Sequence, residues 1–422
     1  MVEQANGLDN FLRPDHLIRD EVRMYLNTLR RFIDTEVLPN EDKLDDDWDW
    51  TEKKEPTLSE NIFKKLWIDL GLQQGFVPPE YGGPGGMSMV ESGAAIIEVA
   101  RGDHGLAETA FITSWAVASI TIPKPNENIM KKVAESLLGK EPCVICSAIT
   151  EPHGGGSIED MKLEGAQTRT RARLDGNEWV INGHKLWPSG FREAKMFVVV
   201  CLVEGEQFPN NIAQIFVPAD TPGVSTSKPY RKMGAAIDTN GDIWFENVRV
   251  PKENRLHEGE DEIRSLIAKC TIGRACSSSF AIGIMRRAYE ILKSYVEHRE
   301  IAGKPMKEHG VIVHELGQIA SDMLSAEAIL WNTLERIDNP ETYGPPWEQK
   351  QLVTASYCQN VATEFAFKVI NRSLELMGSY GYSKEGKMEK LYRDIKPAQF
   401  VVGGHMLRLL EVARYYFGTK TI

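Results

Sequence analysis

Residues 173–185, "RLDGNEWVINGHK", decide how this chain is to be read. Apolar and polar residues alternate on both sides of Asp175-Gly176-Asn177, the pattern of two antiparallel strands joined by a tight turn. Working outward, "CVICSAIT" (143–150), "MFVVVCLVEG" (196–205), "AQIFVPAD" (213–220) and "GDIWFENVRVP" (241–251) are also short β-rich runs punctuated by turn residues. The stretch 143–251 therefore reads as a compact β-barrel or sandwich.

Helical periodicity governs both flanks. Upstream, "HLIRDEVRMYLNTLRRFIDTEVLP" (16–39) spaces its apolar residues by three and four and stops at Pro39. A helix over 59–72 with Ser59 as N-cap follows, then helices near 88–101, 104–121 and 126–139. The charged run 40–56 reads as a solvated loop. Downstream, helices near 259–298, 309–338, 346–379 and 388–416 suggest an antiparallel four-helix bundle. The predicted organisation is an all-α domain over 1–142, a β domain over 143–251 and an α-helical bundle over 252–422, a multidomain α+β chain.

Composition narrows the function classes. The chain has 422 residues and a net charge of −11, and it lacks a basic stripe, which argues against nucleic acid as a partner. No apolar run is long enough for a transmembrane segment. The opening residues show neither a basic start nor an apolar core of a secretory signal. Six cysteines fit a reduced, cytoplasmic protein. "CVIC" has metal-like spacing without a second pair, so Cys143 and Cys146 read as strand residues and no metal site is expected.

Five motifs in order, "PPEYGGPGG" (78–86), "ITEPHGGGS" (149–157), "NGHKLWPSG" (182–190), "HREIAGK" (298–304) and "LMGSYGYSKEGKMEKLYRD" (376–394), resemble the acyl-CoA dehydrogenase family over nearly the whole chain. The resemblance implies FAD as cofactor, an acyl-CoA substrate, a homo- or hetero-tetramer, and an electron-transferring flavoprotein as acceptor. It places Ser147, Ile149, Thr150, Trp187 and Ser189 around the flavin ring. It places Arg299 on the pyrophosphate, and Gly378 and Ser379 near the adenine-side phosphates, some of these on a neighbouring subunit's FAD. Arg274, Gly156 and Gly403 correspond to positions around the substrate.

The departures are as informative. Where the family carries its catalytic glutamate this chain has Val402, and the alternative position beside Arg274 is Gly273. The amide N–H of Val402 can still serve the thioester oxygen. Glu108 and His405 are candidate replacement bases, each set against an ordinary role as surface carboxylate or satisfied histidine. Ala302, Gly310, Glu375 and Gly404 replace residues expected near the cofactor, and His153-Gly154-Gly155-Gly156 lacks the serine expected at CoA. Three readings follow: α,β-oxidation of an unusual, cyclic or carboxylated acyl-CoA by a relocated base; a base-less subunit of a heteromer; or an eliminating or monooxygenating enzyme on the same fold.

Overall fold

A computed structural model describes residues 12–420, so most of the opening stretch read above as lacking a signal lies outside the described residues. The first helices are α1 (Asp20–Phe32), α2 (Glu41–Asp46), α3 (Leu58–Lys64), α4 (Met89–Gly102), α5 (His104–Thr121) and α6 (Glu127–Leu137). Their starts are well supplied with acceptors. Ser88 and Glu91 form a reciprocal capping box on α4, and Asp338 accepts from the next two amides. Asp103 and Asn126 cap α5 and α6.

Seven strands follow: β1 (Val144–Ala148), β2 (Arg171–Asp175), β3 (Glu178–Leu186), β4 (Ala194–Val203), β5 (Ile212–Pro218), β6 (Val224–Thr226) and β7 (Asp242–Pro251). They form one curled sheet in the order β1-β4-β2-β3-β7-β6, with β5 on β4. The β2–β3 hairpin pairs Asp175 with Glu178, as the opening stretch predicts. One face of the sheet builds its own core around Phe197 and Phe245. The other packs Ile145, Val198 and Phe216 against α5 and α6. Cys143 and Cys146 are buried and unpaired, and no metal-binding cluster occurs among the described residues.

The remainder is α7 (Glu260–His298), the two-residue strands β8 (Glu300–Ile301) and β9 (Lys304–Pro305), α8 (Gly310–Asp338), the one-turn α9 (Pro340–Tyr343), α10 (Gln349–Met377), the one-turn α11 (Ser379–Tyr382), α12 (Met388–Asp394) and α13 (Gly404–Phe417). The long α7 is the axis of the molecule and packs against α4, α5, α8 and α10. No described helix is long and apolar enough to cross a membrane.

Three expectations need correction. The charged run 40–56 is not simply solvated: Leu44 and Trp50 are buried, and the Trp50 indole donates to the Ile237 carbonyl. Ser59 is no cap, because its hydroxyl is spent on Asp47; Thr57 caps α3 instead. The single last helix over 388–416 is broken. Val402, Gly403 and Gly404 all adopt left-handed backbone conformations, which no helix accommodates. That break places Val402 in the wall of a cavity.

Candidate active site

β1 ends at Ala148 and β3 at Leu186, and the two chains emerge side by side, joined by Leu186 N–H to the Thr150 carbonyl at 3.0 Å. Below them Lys185, fully buried, donates to the Ile149 carbonyl (2.8 Å) and to Glu151 (2.7 Å). Glu151 in turn accepts the amides of Arg169 and Thr170. A buried ion pair of this kind fixes geometry more than it adds stability. It presents Ile149, Thr150, Trp187 and Ser189 on one wall of a cavity of 640 Å³.

Trp187 is about half exposed, holds a left-handed backbone (φ 70°) and lies 4.7 Å from the Tyr230 ring. Its backbone is fixed at both ends, by Gly241 and by the Asn240 side chain. The Ser147 hydroxyl borders the same space, buried and without a hydrogen-bond partner. Ser189 donates to Asp238 at 3.0 Å. An aromatic face, an orphaned hydroxyl and a large, mainly apolar cavity suit a planar heteroaromatic ring with polar edges, so the residues present fit an isoalloxazine.

The opposite wall is the turn at Val402. A β-branched residue at φ 51° is strained, at a cost of order 1–3 kcal/mol. Two fully buried arginines hold it there. Arg274 donates to the Val402 carbonyl (3.3 Å), to Ser356 (2.7 Å) and to Glu411 (2.5 Å). Arg408 donates to the carbonyls of Gln399, Val401 and Val402 and to the Asn360 side chain. The Val402 carbonyl is thus tied down, while its N–H has no partner among the described residues. A Cβ built on Gly273 would lie 3.4 Å from both Val402 Cγ1 and the Trp115 indole. The two positions where a carboxylate was sought therefore converge on one spot, and hydrocarbon and indole occupy it.

The remaining site residues divide. Gly156 meets the turn so closely that a Cβ there would sit 2.3 Å from the Gly403 carbonyl, so both glycines belong to the wall. Ser157 follows one position on, in the 3-10 turn Gly156–Glu159, and is not among the residues that line the cavity. Arg274 does not line the cavity; its donors are consumed by Glu411, Ser356 and the turn, and it is a positioning residue. His405 is not brought to the cavity either. The left-handed break at 402–404 redirects the chain, so the helical spacing that would aim it beside Val402 does not apply.

Glu108 does line the cavity and is no surface carboxylate. It shares a face of α5 with Ile112 and Trp115, roughly 10 Å along the axis from Trp115 at 1.5 Å per residue. Its carboxylate lies 3.4 Å from His104. Burial opposes charge on both groups, but their mutual attraction overrides it: His104 titrates above its ordinary value and Glu108 below. Asp238 beside them is pushed up to about 7, chiefly by burial.

Arg299, Gly378 and Ser379 lie elsewhere. Arg299 follows α7, roughly 37 Å along the axis from Arg274 at 1.5 Å per residue. The Tyr295 hydroxyl donates to the Met377 carbonyl and Tyr295 stacks on Tyr380, which gathers these residues at the far end of the bundle.

Sequence reasoning missed Glu159, Lys269, Cys270 and Arg408. Lys269 lines the cavity with its amine buried and unpartnered, and burial pulls it down to about 8.

Family models for the acyl-CoA dehydrogenase N-terminal, middle and C-terminal domains match residues 19–137, 146–248 and 263–416. The chain belongs to the acyl-CoA dehydrogenase family. It is 24% identical over 401 residues to cyclohexane-1-carbonyl-CoA dehydrogenase of Syntrophus aciditrophicus, covering 94% of this chain and 96% of that protein. The solved butyryl-CoA dehydrogenase of Megasphaera elsdenii superposes with a TM-score of 0.82 at 22% identity, over 95% of this chain and 99% of the other. The acyl-CoA dehydrogenase of Bacillus anthracis complexed with FAD matches at a TM-score of 0.82 and 25% identity, over 96% of this chain and 68% of the other. The fold and the oxidoreductase class expected from the motifs hold: this is a family of FAD-dependent acyl-CoA dehydrogenases.

Proposed function

We propose that this chain binds FAD against Ser147, Ile149, Thr150, Trp187 and Ser189 and oxidises an acyl-CoA thioester across its α,β carbons, using a base that sits at neither 402 nor 273. The observation that carries this reading is the unpartnered Val402 N–H, held at the cavity wall by two buried arginines. A preorganised amide is what a thioester oxygen needs as charge develops on it, and such electrostatic stabilisation is usually the largest catalytic contribution. FAD, when bound, accepts the β-hydrogen with its electron pair. The chain's own part is to polarise the carbonyl, exclude water and take the α-proton.

The far end of the cavity bears on the acyl group. Glu108 is paired there with His104, which holds it below its ordinary value, so a carboxylated chain would find that histidine already engaged. An uncharged, bulky or cyclic acyl group suits that space better, and the likeness to the cyclohexane-1-carbonyl-CoA enzyme supports this choice. Arg299, Gly378 and Ser379 lie at the far end of the bundle and do not line the cavity, so we assign them to the cofactor of a neighbouring subunit in a tetramer. Electron-transferring flavoprotein is the acceptor we propose, on family resemblance.

The test is anaerobic mixing of the FAD-loaded protein with straight-chain, branched and cyclic acyl-CoAs. Bleaching of the flavin with formation of an enoyl-CoA supports the reading, most strongly with a cyclic acyl group. A colourless chain that gains flavin only with a second gene product contradicts it and points to a heteromeric subunit.

A further inference from the structure

Among the described residues, two carboxylates line the cavity, Glu108 and Glu159. Glu108 is engaged by His104 and lies two turns of α5 from the indole that meets Val402. Glu159 is different. It closes the 3-10 turn whose first residue, Gly156, presses on the Gly403 carbonyl. Its Oε2 lies 3.4 Å from where a Cβ on Gly403 would be, one residue from the free amide of Val402. The hydrogen bond the structure gives this carboxylate comes from the Cys270 thiol, a weak donor, at 3.7 Å.

The surrounding charges leave it available. On α7 it faces Lys269, Cys270 and Arg274, and on α13 Arg408 and Glu411. Arg274 spends its donors on Glu411, Ser356 and the turn, and the Lys269 amine makes no hydrogen bond. Next along the chain, Asp160 is occupied by Arg414. Burial raises Glu159 above the ordinary glutamate value; Arg274, Lys269 and Arg408 offset this in part, and Glu411 adds to it. A desolvated carboxylate bonded only by a thiol is a stronger base than an exposed one.

We propose that Glu159 is the catalytic base that removes the substrate's α-proton, from the glycine-rich loop, in place of the carboxylates that positions 402 and 273 lack. The assignment rests on the acyl-CoA oxidation proposed above. The Cα–H bond breaks and its proton goes to a Glu159 oxygen. The electron pair left on Cα forms the Cα–Cβ double bond as the β-hydrogen departs with its own pair to FAD, the oxidant. Glu159 then returns its proton to solvent.

Three measurements on FAD-loaded wild type, Glu159→Gln and Glu159→Asp test this: flavin bleaching by acyl-CoA, exchange of the α-hydrogens with D₂O, and FAD retention. A fourth, on the flavin-free proteins, is the pH-difference infrared spectrum. The expected result is that Glu159→Gln folds and holds FAD yet loses about 10²–10⁴-fold in both exchange and bleaching. Glu159→Asp should recover part of the rate. The infrared spectrum of wild type should show a carboxyl titrating above the ordinary glutamate range that Glu159→Gln lacks. Exchange and bleaching at wild-type rates in Glu159→Gln overturn the assignment and leave the oxidation intact. A wild type that holds FAD but neither exchanges nor bleaches with any acyl-CoA overturns both.

Discussion

Replacing Arg408 by lysine should loosen the Val402 turn while conserving charge. The Arg408 guanidinium is fully buried and serves four acceptors: Asn360 Oδ1 at 2.7 Å, the Val401 carbonyl at 2.7 Å, the Gln399 carbonyl at 3.1 Å and the Val402 carbonyl at 3.4 Å. These lie around a planar fork that a single ammonium cannot reproduce. A lysine serves about two of them, and each lost hydrogen bond to a charged group costs about 1.5–3 kcal/mol. The expected destabilisation of Arg408→Lys is about 3–6 kcal/mol, a large share of the roughly 5–15 kcal/mol of a typical fold. Urea denaturation reads it as a lowered midpoint. Arg264→Lys is the control: Arg264 pairs with Glu260 and Asp261 at the surface, and its substitution should move stability by less than about 1 kcal/mol. Arg408→Lys should also slow flavin bleaching, because a freed carbonyl lets Val402 leave its strained conformation. A loss below about 1 kcal/mol, with unchanged bleaching, would refute the claim that Arg408 holds the turn.

Other expectations follow from the same geometry. Lys185→Met leaves Glu151 buried without its cation and should cost about 3–5 kcal/mol, read by denaturation. Burial opposes the Glu151 charge, but Lys185 and its hydrogen bonds to backbone amides hold it below the ordinary glutamate value. Its stabilising contribution is therefore present above the unfolded pKa and lost as pH falls through the folded one, and Lys185→Met should flatten that acid limb. Glu108→Gln should lower the His104 pKa, observable by NMR. Because the His104 value is raised in the folded protein, the stability it contributes is complete below its unfolded pKa and lost as pH rises through the folded one. Arg299→Ala should release FAD on gel filtration while leaving the cavity around Trp187 intact.

Much of the fold was legible in residues whose pattern is local. The 39-residue α7 and the β2–β3 hairpin follow from periodicity and from Asp175-Gly176-Asn177. Ser147, Thr150 and Trp187 reached the cavity because β1 and β3 end there, bridged by Leu186 N–H to the Thr150 carbonyl, and their motifs marked those ends. What periodicity hid was long-range. Glu159 lies in a loop without a repeating pattern, and its thiol partner is 111 residues away. Trp50 is carried in a run dense with acidic residues, yet its indole is buried against a carbonyl 187 residues on. The last helix reads as unbroken over 388–416, and the left-handed turn at Val402 that interrupts it was hidden because that conformation depends on arginines from two different helices. His405 was weighed as a base on helical spacing that this turn abolishes.

Val402 lacks the carboxylate of its position, and its amide is proposed to keep the contact to the thioester oxygen. The measurement that tests it most directly is a structure of the FAD-loaded protein with a non-reactive acyl-CoA analogue, read for one distance. The thioester oxygen is expected within about 2.7–3.2 Å of the Val402 nitrogen. A thioester bound elsewhere, or a Val402 amide turned away from it, would show that this amide does not serve the thioester.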